Sequence, residues 1–191
     1  LKELLLIGTT VITLATSSIS AGTAQGSSYP THIRGDHVSV SILQKAELMA
    51  EAKAELLLKI KLQQNADKVN LAADELKKYV GKTWYVFSGN TPSGWDCSGL
   101  TMWFYEQLDI ELKHSATAQA LGGTKVSEPK VGDIVAFHYE DSKKAYHVGI
   151  YIGNGLMIHS PAKGKRTAID NIVKFGGKYS DISYVRYLDT I

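Results

Sequence analysis

The sequence predicts an α+β domain, and three observations predict it. Residues 41–80 contain neither Gly nor Pro and are rich in Ala, Leu, Lys, Glu and Gln, the composition of a helix. Beyond Gly81 come short runs rich in Val, Ile and Tyr, separated by Gly, Asn and Asp, which read as antiparallel strands. The order, helices first and strands afterwards, is that of α+β domains, and 191 residues suit one compact domain with extensions.

Composition narrows the function. Hydrophobic residues are 44% and charged residues 21%, which excludes a wholly disordered or collagen-like chain. The 21 Lys+Arg against 19 Asp+Glu leave a net charge of +2, with no basic excess to bind nucleic acid. The one cysteine, Cys97, excludes an internal disulfide and any Cys-rich zinc site.

Along the chain, Lys2 precedes an apolar run from Leu4 to Leu14, and small residues follow to Ala24. That order is expected of a secretory signal peptide over 1–24, the run being shorter than the roughly 20 apolar residues of a membrane span. Residues 25–40 read as a flexible leader, rich in Gly, Ser, Pro and His with no apolar period. Residues 41–70 read as a helical arm, and 71–191 as the main domain. Ile42, Met49 and Leu56 form one stripe and Leu62, Val69 and Leu76 a shifted one. The shift predicts two helices, or a kink, near 57–65. The exposed first half offers an arm to a protein partner. Gly89–Gly94 is a turn cluster, and Cys97–Leu108 reads as a helix with Leu100, Trp103, Phe104 and Leu108 on one face. Strands are expected at Ile134–His138, His147–Ile152, Leu156–His159 and Ser183–Leu188, with a tight hairpin at Asn154-Gly155.

Cys97 sits where turn gives way to helix. Free N–H groups and the helix dipole there favour a thiolate and can hold an oxyanion. A buried structural cysteine is the plainer reading, but Asp96, Ser98 and Gly99 around it are polar or small. A thiol nucleophile needs a base. His32 and His37 fall in the leader, His114 in a loop, and His138 at an exposed strand end. His147 starts one strand of the hairpin and His159 ends the other, so antiparallel pairing brings them side by side. One ring then acts as base and the other orients it. Metal binding by the same pair is the alternative, with Asp133 as a third ligand, although Asp133 reads better as a turn residue.

Several blocks together resemble a known family, the NlpC-type cysteine peptidases of bacterial cell walls, which have a papain-like core. The resemblance runs from about Leu71 to Leu188. Tyr85-Val86-Phe87-Ser88-Gly89 and Pro92 to Leu100 resemble its nucleophile block. His114-Ser115 with Gln119 resembles the loop after the nucleophile helix, and Val131–Val135 the strand entry. His147–Gly155 resembles the base strand, and Met157–Pro161 the block of the third residue. The chain departs from the commonest pattern at Phe87-Ser88, where Trp-Gly is usual.

The resemblance implies a papain-like core with Cys97 as nucleophile, His147 as base and His159 as the residue orienting it. It implies that Tyr85, Asp96 and Ser98 bind substrate, with no cofactor and no metal. The implied substrate is the stem peptide of peptidoglycan, cut between γ-D-glutamate and the diamino acid. An N-acetylmuramoyl-L-alanine amidase, a phage lysin or tail component, and a non-catalytic wall-binding module are the competing expectations.

Overall fold

A computed structural model describes residues 36–140, 142–177 and 180–190, with backbone alone for 36–40. The expected signal peptide and residues 25–35 of the expected leader lie outside the described residues. The chain divides after Gln44, and all packing below lies within the second unit, Lys45–Ile191.

The Ala- and Leu-rich stretch forms α1, Asp36–Lys77. Two expectations are corrected here. Helix already begins at Asp36, inside the expected leader, and no second helix starts near 57–65. The absence of Gly and Pro outweighs the shift in apolar stripe, because a solvated helix needs no constant face. Leu48, Met49, Leu56, Leu57, Leu58 and Ile60 are exposed, whereas Val69, Ala72, Ala73 and Leu76 are buried. Only the last turns of α1 therefore enter the core. Among the described residues no helix is long and apolar enough to cross a membrane.

The turn cluster closes a small antiparallel hairpin, β1 (Asn90–Thr91) and β2 (Gly94–Trp95), and α2 (Cys97–Glu106) follows at once. Next come α3 (Ala116–Gly122), β3 (Thr124–Val126), β4 (Ile134–His138), β5 (Ala145–Gly153) and β6 (Leu156–His159). The chain ends with β7 (Ala168–Asn171), α4 (Ile172–Gly176) and β8 (Asp181–Arg186). The main sheet has six strands in the order β3-β8-β4-β5-β6-β7, every neighbouring pair antiparallel. The α+β class and the four expected strands are present, and the short edge strands β3 and β7 are additions.

Alternation along the strands sends side chains to two cores. Ile134, Ala136, Val148, Ile150, Ile158 and Val185 pack with Leu76, Trp95, Leu100 and Phe104 from the helices and hairpin. On the other side Val135, Phe137, Met157 and Ile172 form a second cluster with Phe175 and Ile182 against it. Asp133, weighed as a third metal ligand, is engaged by an arginine. Its carboxylate accepts from Arg186 Nη2 at 2.7 Å and Nε at 3.0 Å, a two-point clamp between the entry of β4 and the end of β8. His138, expected at an exposed strand end, is buried, and its Nε2 meets Ser183 Oγ at 2.8 Å. The neighbouring strand β8 covers it, which a one-strand reading cannot see.

Candidate active site

Trp95 fixes the approach to Cys97. The indole is fully buried, lies edge-on to Tyr79 with ring centroids 5.5 Å apart, and donates its N–H to Thr167 Oγ1 at 2.7 Å. Its carbonyl accepts from Ser160 Oγ at 2.9 Å. The next residue, Asp96, caps α2: its side chain accepts from Gly99 N–H at 2.8 Å. The same oxygen accepts from Ser98 Oγ at 3.0 Å and meets His114 Nε2 at 2.9 Å, while Oδ2 accepts from Ser88 N–H at 2.9 Å. These partners, His114 foremost, hold the carboxyl below the usual carboxylate range against the opposing effect of burial.

That network explains the unusual Ser88. Its φ is 58°, a left-handed conformation in which Gly sits without strain, and the bond from its N–H to Asp96 helps to hold it there. Gly89 and Gly99 are required by contact: a Cβ on Gly89 would lie 2.4 Å from the carbonyl oxygen of Gly94. A Cβ on Gly99 would lie 1.9 Å from the carbonyl oxygen of Gly89, and that oxygen accepts from Asp96 N–H at 3.0 Å. Helix α2 thus starts pressed against the preceding loop, which places its first residue, Cys97.

The Cys97 sulfur meets the backbone N–H groups of Val148, Ser98 and Cys97 itself. Burial pushes the thiol up nonetheless, with the charge of Asp96 adding to it, and the N–H groups only partly offset this. The expectation of a net lowered thiol is therefore corrected: the helix N-terminus contributes as expected, but removal from water is larger. Tyr85 is close enough to feel Asp96 and Cys97, and burial followed by those two charges pushes its hydroxyl up.

The hairpin between β5 and β6 turns at Asn154-Gly155, with φ of 54° and 69°, the pair of left-handed residues that a two-residue turn requires. It brings the two imidazoles together as the strand pairing predicts: His147 Nε2 lies 2.7 Å from His159 Nδ1. The rings are edge-on, with centroids 4.9 Å apart. Phe175 packs on both, at 4.8 Å from His147 and 4.5 Å from His159. Burial, then the neighbouring His159, pushes His147 down to about 3. Burial also lowers His159, with Asp170 opposing it: His159 Nε2 lies 2.9 Å from Asp170 Oδ2.

Cys97, His147, His159, Tyr85, Asp96 and Ser98 are linked by these contacts into one cluster. Cys97 and His147 are linked through Val148, the residue after His147 and a donor to the sulfur. Asp96 and Ser98 are turned towards each other and the helix start. Three participants were not foreseen. His114 appeared only as a loop residue, yet it is tied to Asp96. Phe175 lies in a short helix, and Asp170 on an edge strand of four residues too short to show a period.

Cys97 and His147 have a common electrostatic consequence. A raised thiol beside a lowered imidazole favours the uncharged pair at rest. Iodoacetamide attacks only thiolate, so its rate at Cys97 should climb about tenfold per pH unit through pH 7–9, without a plateau near neutrality. A rate already level from acid pH upwards would show instead that the ion pair stands preformed.

A cysteine at the start of a helix packed on an antiparallel sheet, beside an imidazole pair carried by that sheet, is the arrangement of the papain-like cysteine peptidases. Comparison with known proteins makes this specific. Residues 81–186 match the NlpC/P60 family, and the chain belongs to that family. It is 46% identical over 82 residues to a "Probable endopeptidase" of Mycobacterium bovis, covering 42% of this chain and 20% of the relative. It is 42% identical over 108 residues to "Probable endopeptidase p60" of Listeria seeligeri, covering 55% of this chain and 20% of the relative. The chain thus spans about a fifth of the length of these curated relatives. Among solved structures, the NlpC/p60 domain of the peptidoglycan hydrolase SagA matches with a TM-score of 0.54 and 33% identity, over 62% of this chain and 98% of that one. An NlpC/P60 family protein from Bacillus cereus matches with a TM-score of 0.56 and 28% identity, over 63% of this chain and 40% of that one.

Proposed function

We propose that this chain hydrolyses an amide bond in the stem peptide of peptidoglycan, between γ-D-glutamate and the diamino acid, by way of a thioester on Cys97. The observation that carries this reading is the sulfur of Cys97 held against the N–H of Val148, next to His147, whose ring is joined to His159. Membership of the NlpC/P60 family and the likeness to the NlpC/p60 domain of a peptidoglycan hydrolase support the substrate class. Secretion through residues 1–24 suits a substrate outside the membrane, and the exposed part of the arm at 41–70 offers a surface to a protein partner.

In the first step the sulfur attacks the amide carbonyl while its proton passes to His147. Nε2 of His147 is committed to His159, so Nδ1 is the atom that receives it. The oxyanion is held by N–H groups at the start of α2. The tetrahedral intermediate collapses, its C–N bond breaks, and His147 gives the proton to the leaving amine. Water then attacks the thioester, again losing a proton to His147; the acid leaves and the thiol is regenerated. A base whose imidazole stays uncharged down to about 3 is available over the whole neutral range. Tyr85 borders the acyl side. Asp96 and Ser98 act there mainly by fixing the loop, since their polar atoms are already bonded to one another, to Gly99 and to Ser88.

The test is a digest of purified peptidoglycan read by mass spectrometry. The expected products carry new glutamate carboxyls on the acyl side and free diamino-acid amines on the other. Free lactyl groups would show cleavage between sugar and peptide, the work of an amidase. Intact murein would leave only a wall-binding role.

A further inference from the structure

The imidazole pair is the middle of a longer line of contacts that ends at Asp170. We propose that Asp170 is a positioning residue: its carboxylate fixes which nitrogens of His159 and His147 carry hydrogen, and so leaves the lone pair of His147 Nδ1 facing the sulfur. This rests on the reading of Cys97, His147 and His159 given above.

The hydrogens can be counted along one line. Asp170 Oδ2 lies 2.9 Å from His159 Nε2, and His159 Nδ1 lies 2.7 Å from His147 Nε2. A carboxylate only accepts, so the hydrogen in the first contact belongs to His159 Nε2. His159 is fully buried, and burial disfavours a second, charging proton. Its Nδ1 is then an acceptor, and the hydrogen in the second contact belongs to His147 Nε2. His147, also held neutral by burial, is left with an unprotonated Nδ1. Without the carboxylate the line can run the other way. His159 then donates from Nδ1, His147 Nε2 accepts, and the hydrogen of His147 sits on Nδ1, where it blocks the base.

The fold builds this contact deliberately. In the ladder of β6 and β7, His159 stands opposite Ala168, so Asp170 is its diagonal neighbour on the same face. Nothing else in β7 is charged, and Asp170 is half-exposed, so the carboxylate keeps part of its hydration while one oxygen reaches the buried ring. That exposure limits its strength. A fully buried carboxylate behind a catalytic imidazole governs the tautomer far more strongly, by about four orders of magnitude in rate in the serine-protease case. Here we expect less.

The test compares the full chain with Asp170→Ala, Asp170→Asn and Asp170→Glu. Nitrogen-15 NMR of the imidazoles should show both His159 and His147 protonated at Nε2 in the unaltered chain. In Asp170→Ala and Asp170→Asn the signals should move towards the Nδ1-protonated form, and kcat on a soluble stem peptide should fall about tenfold with KM unchanged. Asp170→Glu should recover part of both. The proposal is overturned if Asp170→Ala keeps the Nε2 tautomers, whether its kcat stays or falls. It is equally overturned if the tautomers move and kcat does not. The NMR arm is independent of turnover: should the unaltered chain or His147→Ala contradict the peptidase reading, that reading fails by itself and the tautomer result still decides the role of Asp170.

Discussion

Cys97→Ala should abolish release of peptide fragments from peptidoglycan, by at least a factor of about a thousand, while the protein melts within a few degrees of the original. The two halves of this expectation come from different facts. Cys97 contributes little to packing: it is the first residue of α2, only partly buried, at the margin of the main core. Its cap is supplied by Asp96, and the contacts of Asp96 with Gly99, Ser88 and His114 do not pass through the sulfur. The chemistry of the proposed mechanism, in contrast, has no substitute. No other cysteine exists in the chain, and the imidazole pair has nothing else to deprotonate at that point but water. Residual turnover at a level near the original would mean that His147 activates water directly and that no thioester forms. Differential scanning calorimetry alongside the digest separates lost chemistry from lost fold.

Gly99→Ala should do the opposite and damage both. The added methyl would sit 1.9 Å from the Gly89 carbonyl oxygen and 2.9 Å from its carbon, both backbone atoms that no rotamer change can move away. Either the loop at Gly89 or the first turn of α2 must shift. The loop is tied to Asp96 through the Gly89 carbonyl, and the turn carries the bond from Gly99 N–H to the same carboxylate. The cost should be about 3 kcal/mol or more, seen as a lower midpoint in urea. Activity should fall further than the folded fraction accounts for, because the start of α2 sets both the sulfur and the N–H groups around it. A variant with unchanged midpoint and unchanged kcat would show that the loop has slack the structure does not suggest. Gly89 is under the same constraint from the other side, with Gly94 O at 2.4 Å from its would-be Cβ.

How much of this could be read from residues alone differs from place to place, for physical reasons. The meeting of His147 and His159 was legible because it needs only a strand period and one turn signal, both local. The start of α2 was legible because its signals, the turn cluster at Gly89–Gly94 and the single apolar face of Leu100, Trp103, Phe104 and Leu108, are local too, although the cap that Asp96 supplies was not read. The sign of the net effect on the Cys97 thiol was not legible. The N–H groups that favour thiolate are partly local, but the burial that opposes them comes from distant strands and the helix packed on them. His138 was misjudged for the same reason, since β8, which covers it, arrives more than forty residues later. Asp170 escaped notice because an edge strand of four residues shows neither alternation nor length. The long helix was recognised, but its unbroken course was not. A shift of stripe signals a break only where a second surface demands a constant face, and residues 48–60 meet none among the described residues.

The turn at Asn154-Gly155 has a mechanical meaning. It mounts both rings on one hairpin, cross-linked by the ladder, whereas the sulfur rides on a separate carrier, the helix behind the Gly89 loop. The two carriers meet at the bond from Val148 N–H to the sulfur. On the proposed mechanism, a peptide seated between helix and sheet would load that junction and leave the pairing of the rings alone.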